Sequence, residues 1–91
     1  MTVRYRRAAE VLWRRTVDRV LLLPATEGEL VSLTGTGVVL WDLLAEPTDA
    51  DELCRTLASV YGADPRIVAT DIAPVLEDLT ARRLILSEGT P

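Results

Sequence analysis

The sequence contains no histidine, no lysine and a single cysteine, Cys54. Without histidine the chain lacks the commonest general base and the commonest neutral metal ligand. A single cysteine cannot form an intramolecular disulfide, and without lysine no ammonium group can reach a bound phosphate. These absences argue against nucleophilic catalysis, a metal site and a nucleotide site. We therefore expect a protein that is not an enzyme and that holds no metal and no cofactor.

Long apolar runs and aromatic residues are also scarce. No run approaches the roughly 20 residues that a membrane-spanning helix needs, and the run VLLLPA after Arg19 is too short and too late for a signal peptide. We therefore expect a cytoplasmic protein that does not bind a membrane. Phenylalanine is absent, so the core of a single domain over residues 1–91 should consist mainly of Leu, Val, Ile and Ala.

The charged residues are unevenly distributed. All ten basic residues are arginines, and six of them precede residue 20, whereas nine of the fourteen acidic residues lie between Asp42 and Asp78. The net charge of −4 disfavours general nucleic-acid binding, because such affinity comes mainly from neutralised phosphates. The arginine-rich start leaves a local basic surface open as an alternative to a solvated terminus.

The first part of the chain predicts an antiparallel meander. Its three strands are Val11–Thr16, Arg19–Pro24 and Leu30–Leu33. Turns are expected at Val17-Asp18 and at residues 25–29. In the third strand, Val31 and Leu33 share one face, and Leu30 and Ser32 share the other. Residues 1–9 and 87–91 carry no such pattern and are expected to be loose.

Three helices are predicted after the strands. The first starts at a cap formed by Thr34 or Thr36, contains Leu40, Trp41, Leu43 and Leu44, and ends before Pro47. The second runs from a Thr48 cap to Gly62. The third runs from Asp64-Pro65 to about Arg82, with a kink near Pro74. Glycines 35 and 37 permit the abrupt change from strand to helix. Trp41 lies among leucines and Cys54 lies on an apolar helix face, so both are expected in the core.

These elements predict an α+β fold in which a three-stranded antiparallel sheet is followed by three helices, like a winged helix-turn-helix. A winged-helix DNA-binding regulator is therefore one alternative function. Its recognition helix should present basic or amide side chains to base edges. The third predicted helix instead exposes Thr70, Asp71, Glu77 and Asp78, so we expect no specific nucleic-acid binding.

The second alternative is peptide binding at a sheet edge. An outer strand has unpaired backbone N–H and C=O groups, and a peptide can add to them as a further strand. If the third strand is the outer one and the third helix lies beside it, an apolar cleft would remain between them.

An ordered set of residues connects these elements to a known family. They are Leu33, Thr34, Gly37, Trp41, Leu43, Leu44, Thr48, Glu52, Leu53, Val68, Asp71, Ile72, Leu76 and Leu79. Over about residues 11–86 this pattern resembles the PqqD-like family, whose members are also called RiPP precursor peptide recognition elements. The chain departs from the family pattern at Arg83, where a glycine is frequent, and at Val31, where an aromatic residue is frequent.

The resemblance implies three strands, three helices and a function without catalysis. Family members bind the leader segment of a ribosomally made precursor peptide as an added antiparallel strand, between the third strand and the third helix. They then deliver the precursor to a modifying enzyme, such as a radical enzyme in the pyrroloquinoline quinone pathway or a leader peptidase in lasso-peptide pathways.

The expected peptide-binding site therefore combines the third strand with one flank of the third helix. Its residues are Glu29, Leu30, Val31, Ser32, Leu33, Ile67, Thr70, Asp71 and Val75. Asp71 could accept a hydrogen bond, pair with a basic residue of the leader, or be a solvated acid. The sequence leaves these three roles open.

Overall fold

The computed structural model describes residues 2–24 and 28–90. Within them the chain forms six strands and three helices. In chain order these are β1 (Thr2–Arg7), β2 (Leu12–Arg15), β3 (Arg19–Leu23), β4 (Val31–Thr34), α1 (Thr36–Leu43), β5 (Thr48–Asp49), α2 (Ala50–Tyr61), α3 (Pro65–Ala81) and β6 (Ile85–Thr90). The α+β class and the three helices that the sequence predicts are confirmed.

The predicted meander is present as an antiparallel sheet with the strand order β2-β3-β4. Its strand boundaries differ from the prediction by about one residue. β3 ends at Leu23 because Pro24 has no N–H to donate, and Leu30 lies just before β4. The turn at Val17-Asp18 is closed by a hydrogen bond from the Thr16 N–H to the Arg19 carbonyl. Residues 25–27 of the second predicted turn lie outside the described residues.

The prediction of loose ends is wrong for residues 2–7 and 87–90, which belong to the strands β1 and β6. β1 pairs along its whole length with β6 and also pairs with the short β5, which gives a second antiparallel sheet in the order β5-β1-β6. The arginine-rich β1 has no apolar run that would mark it as a strand. Its order comes from a partner at the far end of the chain, including an Arg6–Glu88 ion pair of 2.8 Å.

Glycine, and not a threonine cap, starts α1. The N-cap is Gly35, with φ 55° and ψ −124°, and no side chain caps the helix, so the predicted role of Thr34 or Thr36 is wrong. Only glycine adopts such a backbone conformation without strain. A Cβ on Gly37 would lie 3.2 Å from the Leu33 Cβ, so this glycine lets the helix start directly against the end of β4.

The ends of α2 and α3 mostly follow the prediction. Gly62 ends α2 in the left-handed conformation, and Asp64 caps α3 by accepting a hydrogen bond from the Arg66 N–H. The N-cap of α2 is Asp49, whose carboxylate accepts from the Glu52 N–H at 2.8 Å, so the predicted Thr48 cap is wrong by one residue. α3 continues through Pro74 as one helix, and the kink stays a prediction.

The helices and the inner face of the β2-β3-β4 sheet enclose one core. Trp41 and Leu40 of α1 and its C-cap residue Leu44 are almost fully buried, as are Leu22 and Leu57. The burial of Trp41 and of Cys54 confirms their predicted places in the core. In the part of the chain that the structure describes, no helix has the length and apolar character needed to cross a bilayer.

Candidate functional site

The candidate site begins with β4, which is an outer strand. It pairs with β3 on one side, and no strand among the described residues lies on its other side. Val31 is half-buried and Leu33 is 9% exposed, whereas Leu30 and Ser32 are exposed. The predicted alternation is therefore confirmed. One face of β4 rests on the core, while its free edge offers backbone groups to an added strand.

One flank of α3 supplies the second part of the candidate site. The buried stripe of this helix consists of Val68, Ile72, Leu76 and Leu79. Beside it lie Ile67, which is 59% exposed, the exposed Asp71 and the half-buried Val75, spaced one turn apart. Ile67 and Val75 thus form an apolar surface with the Asp71 carboxylate between them.

The two parts of the site are connected through the core. Val31 and Val75 both pack against the same buried cluster, to which Leu33 and Ile72 belong. The main contacts of β4 are to β3 and α1, and those of α3 are to α2 and β6. Strand and helix therefore border one core without packing on each other along their length, which is the arrangement that a cleft between them requires.

The remaining predicted site residues differ in what their polar groups do. Thr70 donates its hydroxyl hydrogen bond to the Arg66 carbonyl of its own helix at 3.1 Å, so this hydroxyl is already used. Asp71 makes no hydrogen bond or ion pair with the described residues, and Glu29 is an exposed loop residue directly before Leu30 and β4. The Thr70 hydroxyl is therefore occupied, whereas the carboxylates of Asp71 and Glu29 are exposed.

Sequence reasoning missed Arg7, which contacts one tryptophan in β2 and another in α1. The Arg7 guanidinium carbon lies 4.7 Å from the ring centroids of both Trp13 and Trp41, and the two rings meet edge-on at 6.0 Å. Arg7 Nε and Nη2 donate to the Trp41 carbonyl at 2.9 and 2.7 Å. Arg7 therefore satisfies a carbonyl in the last turn of α1 and joins both sheets to this helix.

The environment of Arg7 acts on its charge in two opposing ways. Burial lowers the pKa of the guanidinium, and the nearby Asp42 carboxylate, 4.0 Å away, raises it. Burial is the larger effect, but an arginine stays protonated in proteins. The cation is thus held permanently over the Trp13 and Trp41 rings, where it connects α1 to β1 and β2.

Cys54 lies on the buried side of α2. Burial, and to a smaller extent the negative charge of Asp51, raises the pKa of its thiol. A raised pKa reduces the thiolate fraction at neutral pH, and the thiolate is the reactive form.

Cys54 also borders a wide groove of about 720 Å³ between β1, α2 and α3. None of the nine predicted site residues lines this groove.

Comparison with solved structures identifies two that share this fold. TbiB1, solved in complex with the TbiA(beta) leader peptide, is 26% identical, with a TM-score of 0.79 over 94% of this chain and 98% of TbiB1. The second is the PqqD truncation of Methylobacterium extorquens PqqCD, described as a functional, stand-alone RiPP recognition element. It is 24% identical, with a TM-score of 0.74 over 91% of this chain and 88% of the truncation, and at this identity the likeness concerns the fold alone.

Comparison of sequences gives the family. No curated protein matches the chain. The profile of the family described as Coenzyme PQQ synthesis protein D (PqqD) matches residues 19–85. The matched segment begins with β3 and ends at the start of β6, so it contains β4, the three helices and all residues of the candidate site. The chain therefore belongs to the PqqD family.

Proposed function

We propose that this protein binds the leader segment of a ribosomally synthesised precursor peptide and presents the precursor to a modifying enzyme. The single observation that carries the proposal is the free edge of β4, which rests on the same core as the buried stripe of α3. Membership of the PqqD family supports it, as does the similarity to TbiB1, a protein solved with a leader peptide.

In the proposed complex, the leader adds to β4 as a further antiparallel strand. Its backbone pairs with the outward N–H and C=O groups of residues 30–33, and its alternate side chains enter the cleft towards α3. There Ile67 and Val75 provide apolar contact, and the Asp71 carboxylate accepts a hydrogen bond or pairs with a basic leader residue. Main-chain pairing supplies affinity, and the cleft supplies selectivity.

The protein acts in this proposal without catalysis of its own. Its one thiol is buried with a raised pKa, and the sequence has no histidine to serve as a base. The chemistry therefore belongs to the partner, a modifying enzyme such as a radical enzyme or a leader peptidase. The DNA-binding alternative receives no support from the comparisons.

A proline scan of residues 30–33 tests strand addition. Proline removes one N–H, and outward N–H groups alternate along an outer strand, so proline at alternate positions should abolish binding of the cognate precursor. Alanine at the same positions is the matched control, because it keeps the N–H and removes only the side chain. Isothermal titration with the leader gives the affinity, and circular dichroism verifies that each variant is folded.

If proline at every one of these positions leaves the precursor affinity intact, the docking edge is elsewhere. The helix flank has its own test in the same assay. Ile67→Ala should cost about 1 kcal/mol, roughly fivefold in affinity, and Asp71→Ala should also weaken binding. Val60→Ala on α2 is a matched control because Val60 and Ile67 are both 59% exposed, and Thr56→Ala is a second control on α2.

A further inference from the structure

The outer face of the β2-β3-β4 sheet exposes leucine side chains. The inner positions Val20 and Leu22 of β3 are fully buried, so Leu21 and Leu23 point to the opposite face. Leu12, Leu23 and Leu30 are 67%, 41% and 60% exposed. We call Leu12, Leu21, Leu23 and Leu30 the leucine face.

The leucine face is continuous across all three strands. Leu12 of β2 stands opposite Leu23 of β3 in the register. The β3–β4 register pairs Leu22 with Val31, and one further step places Leu30 beside Leu23. All four leucines, together with Trp13 and Arg14, line a shallow groove of about 230 Å³. A contiguous exposed apolar patch of this kind commonly marks an interaction site.

The charge on this face is positive. Arg14 stands opposite Leu21 and makes no hydrogen bond or ion pair with the described residues. Its neighbours Arg15 and Arg19 are bound to Asp42 and Asp18. An unpaired guanidinium within an apolar surface fits a partner that presents apolar side chains and a carboxylate.

A second copy of this chain does not have that chemistry. In a twofold interface the same patch serves both subunits, so each Arg14 would face a second copy of the leucine face, whose lining contains no carboxylate to pair with it. The face therefore favours a different protein as the occupant.

We infer that the leucine face is the docking surface for the modifying enzyme, and this inference rests on the proposed function. The leader would occupy the free edge of β4, whereas the enzyme would cover the outer face of the same sheet. The two ligands can then be bound at the same time. An added leader strand would also place every second side chain on this outer face, so that the enzyme would contact the module and its bound leader together.

The test uses the full chain with two separate probes: the purified modifying enzyme encoded beside it and a synthetic leader of the precursor from the same gene cluster. Leu12→Thr and Arg14→Glu alter the face at β2, away from β4. We expect each to weaken enzyme binding at least tenfold and to change leader binding less than twofold. Threonine has a high strand propensity, so Leu12→Thr should retain the sheet. Circular dichroism verifies that both variants are folded.

Matched controls lie on α2. Val60→Thr alters a side chain that is 59% exposed, and Arg55→Glu reverses the charge of an exposed arginine. Both should leave enzyme binding unchanged. Folded Leu12→Thr and Arg14→Glu variants that bind the enzyme as tightly as the original protein would overturn the inference.

Two further outcomes separate this inference from the proposed function. If the original protein binds the leader but not the enzyme, the leucine face is not an enzyme surface, and leader recognition stands. If it binds the enzyme but not the leader, the proposed function fails while the face can still be confirmed by the variants. Sedimentation of the protein alone should show a monomer; a dimer that Leu12→Thr dissociates would assign the face to self-association and contradict the inference.

Discussion

At the scale of single residues, Trp41 makes several contacts that have consequences for stability. Its side chain is fully buried, its carbonyl accepts two hydrogen bonds from Arg7, and its ring carries the Arg7 cation on one side. Its indole Nε1–H is buried without a hydrogen-bond partner among the described residues, which costs about 1–3 kcal/mol. The packing of the ring must outweigh that cost.

Replacing Trp41 by alanine should therefore lower the free energy of unfolding by ~3–5 kcal/mol, as is typical for deletion of a large buried aromatic side chain. Urea unfolding monitored by circular dichroism measures the change. Trp13→Ala is the control, since Trp13 is 45% exposed and its loss should cost less. A Trp41→Ala variant that keeps full stability and loses only leader affinity would instead make Trp41 a binding residue.

Arg83 is a second residue with an energetic consequence. It is the one non-glycine residue in the described chain with a positive φ, 59°, at the position where the family pattern often has glycine. The left-handed conformation costs an ordinary residue roughly 1–2 kcal/mol. This strain is confined to the connection between α3 and β6, where the Leu84 N–H donates to the Leu79 carbonyl.

Arg83→Gly should therefore stabilise the protein by about 1 kcal/mol, less than the full strain because glycine also makes the unfolded chain more flexible. For a domain of this size, that corresponds to a rise in Tm of about 4–8 °C. The neighbouring Arg82→Gly is the matched control: Arg82 has φ −82° and pairs with Asp78 at 3.1 Å, so its replacement should lower the Tm. If Arg83→Gly and Arg82→Gly lowered the Tm equally, the positive φ of Arg83 would not be a source of strain.

The burial of Trp41 could be predicted because its leucine neighbours on the helix are adjacent in sequence. The position of Arg7 could not be predicted from the sequence. Six arginines precede residue 20, and nothing local distinguishes Arg7, which binds Trp41, from the others. Its bonds to Trp41 join residues 34 positions apart, and such contacts exist only once the two sheets and α1 have assembled.

At the scale of elements, the change from β4 to α1 depends on one glycine conformation. Gly35 has φ 55° and ψ −124°, whereas Gly62 at the end of α2 has φ 62° and ψ 35°. An added Cβ would meet nothing within 4 Å at either position. The two sites therefore differ in backbone conformation and not in steric contact.

Gly35→Ala should cost about 1–3 kcal/mol, because an L-residue is strained in this conformation. Gly62→Ala should cost less, about 1–2 kcal/mol, since the left-handed helical region is the more accessible one for residues with a side chain. Chemical unfolding of both variants gives the comparison. A larger loss for Gly62→Ala would show that the turn before α1 does not require its present geometry.

The elements that the sequence predicts well are those with a local signal. Alternation marks the face of β4 that rests on the core, and the Asp64-Pro65 pair marks the start of α3. By contrast, β1 has no apolar run, β6 has only Ile85 and Leu86 at its start, and each strand forms because it is the partner of the other. The cap of α2 is Asp49 and not Thr48 because β5 pairs with β1 through both residues, so that the helix starts only after Asp49. Such pairings between distant segments have no signature in either segment alone.

At the scale of the whole molecule, the arginines of the first strands are mostly used internally. Arg6, Arg15 and Arg19 form ion pairs with Glu88, Asp42 and Asp18, and Arg7 binds the Trp41 carbonyl. The local basic surface that the sequence leaves open is thereby largely neutralised. α3, the counterpart of a recognition helix, carries an exposed Asp71.

With a net charge of −4, the protein should therefore show no sequence-specific binding to duplex DNA at physiological salt. A gel-shift titration with DNA from its own operon measures this. A shifted band at nanomolar protein and physiological salt would favour a DNA-binding regulator over leader recognition. Binding confined to low salt is expected to be unspecific and would leave the prediction intact.

The pairing of β1 with β6 also determines where the two ends of the described chain emerge. Thr2 stands directly opposite Thr90 in this antiparallel pair of strands, so the ends are one strand spacing apart, roughly 5 Å. A short linker could join them, and new termini could be opened in an exposed connection such as Val17-Asp18. The resulting circularly permuted protein would keep the same contacts between its elements. For the same reason, a domain fused to either end would leave from the same corner of the molecule.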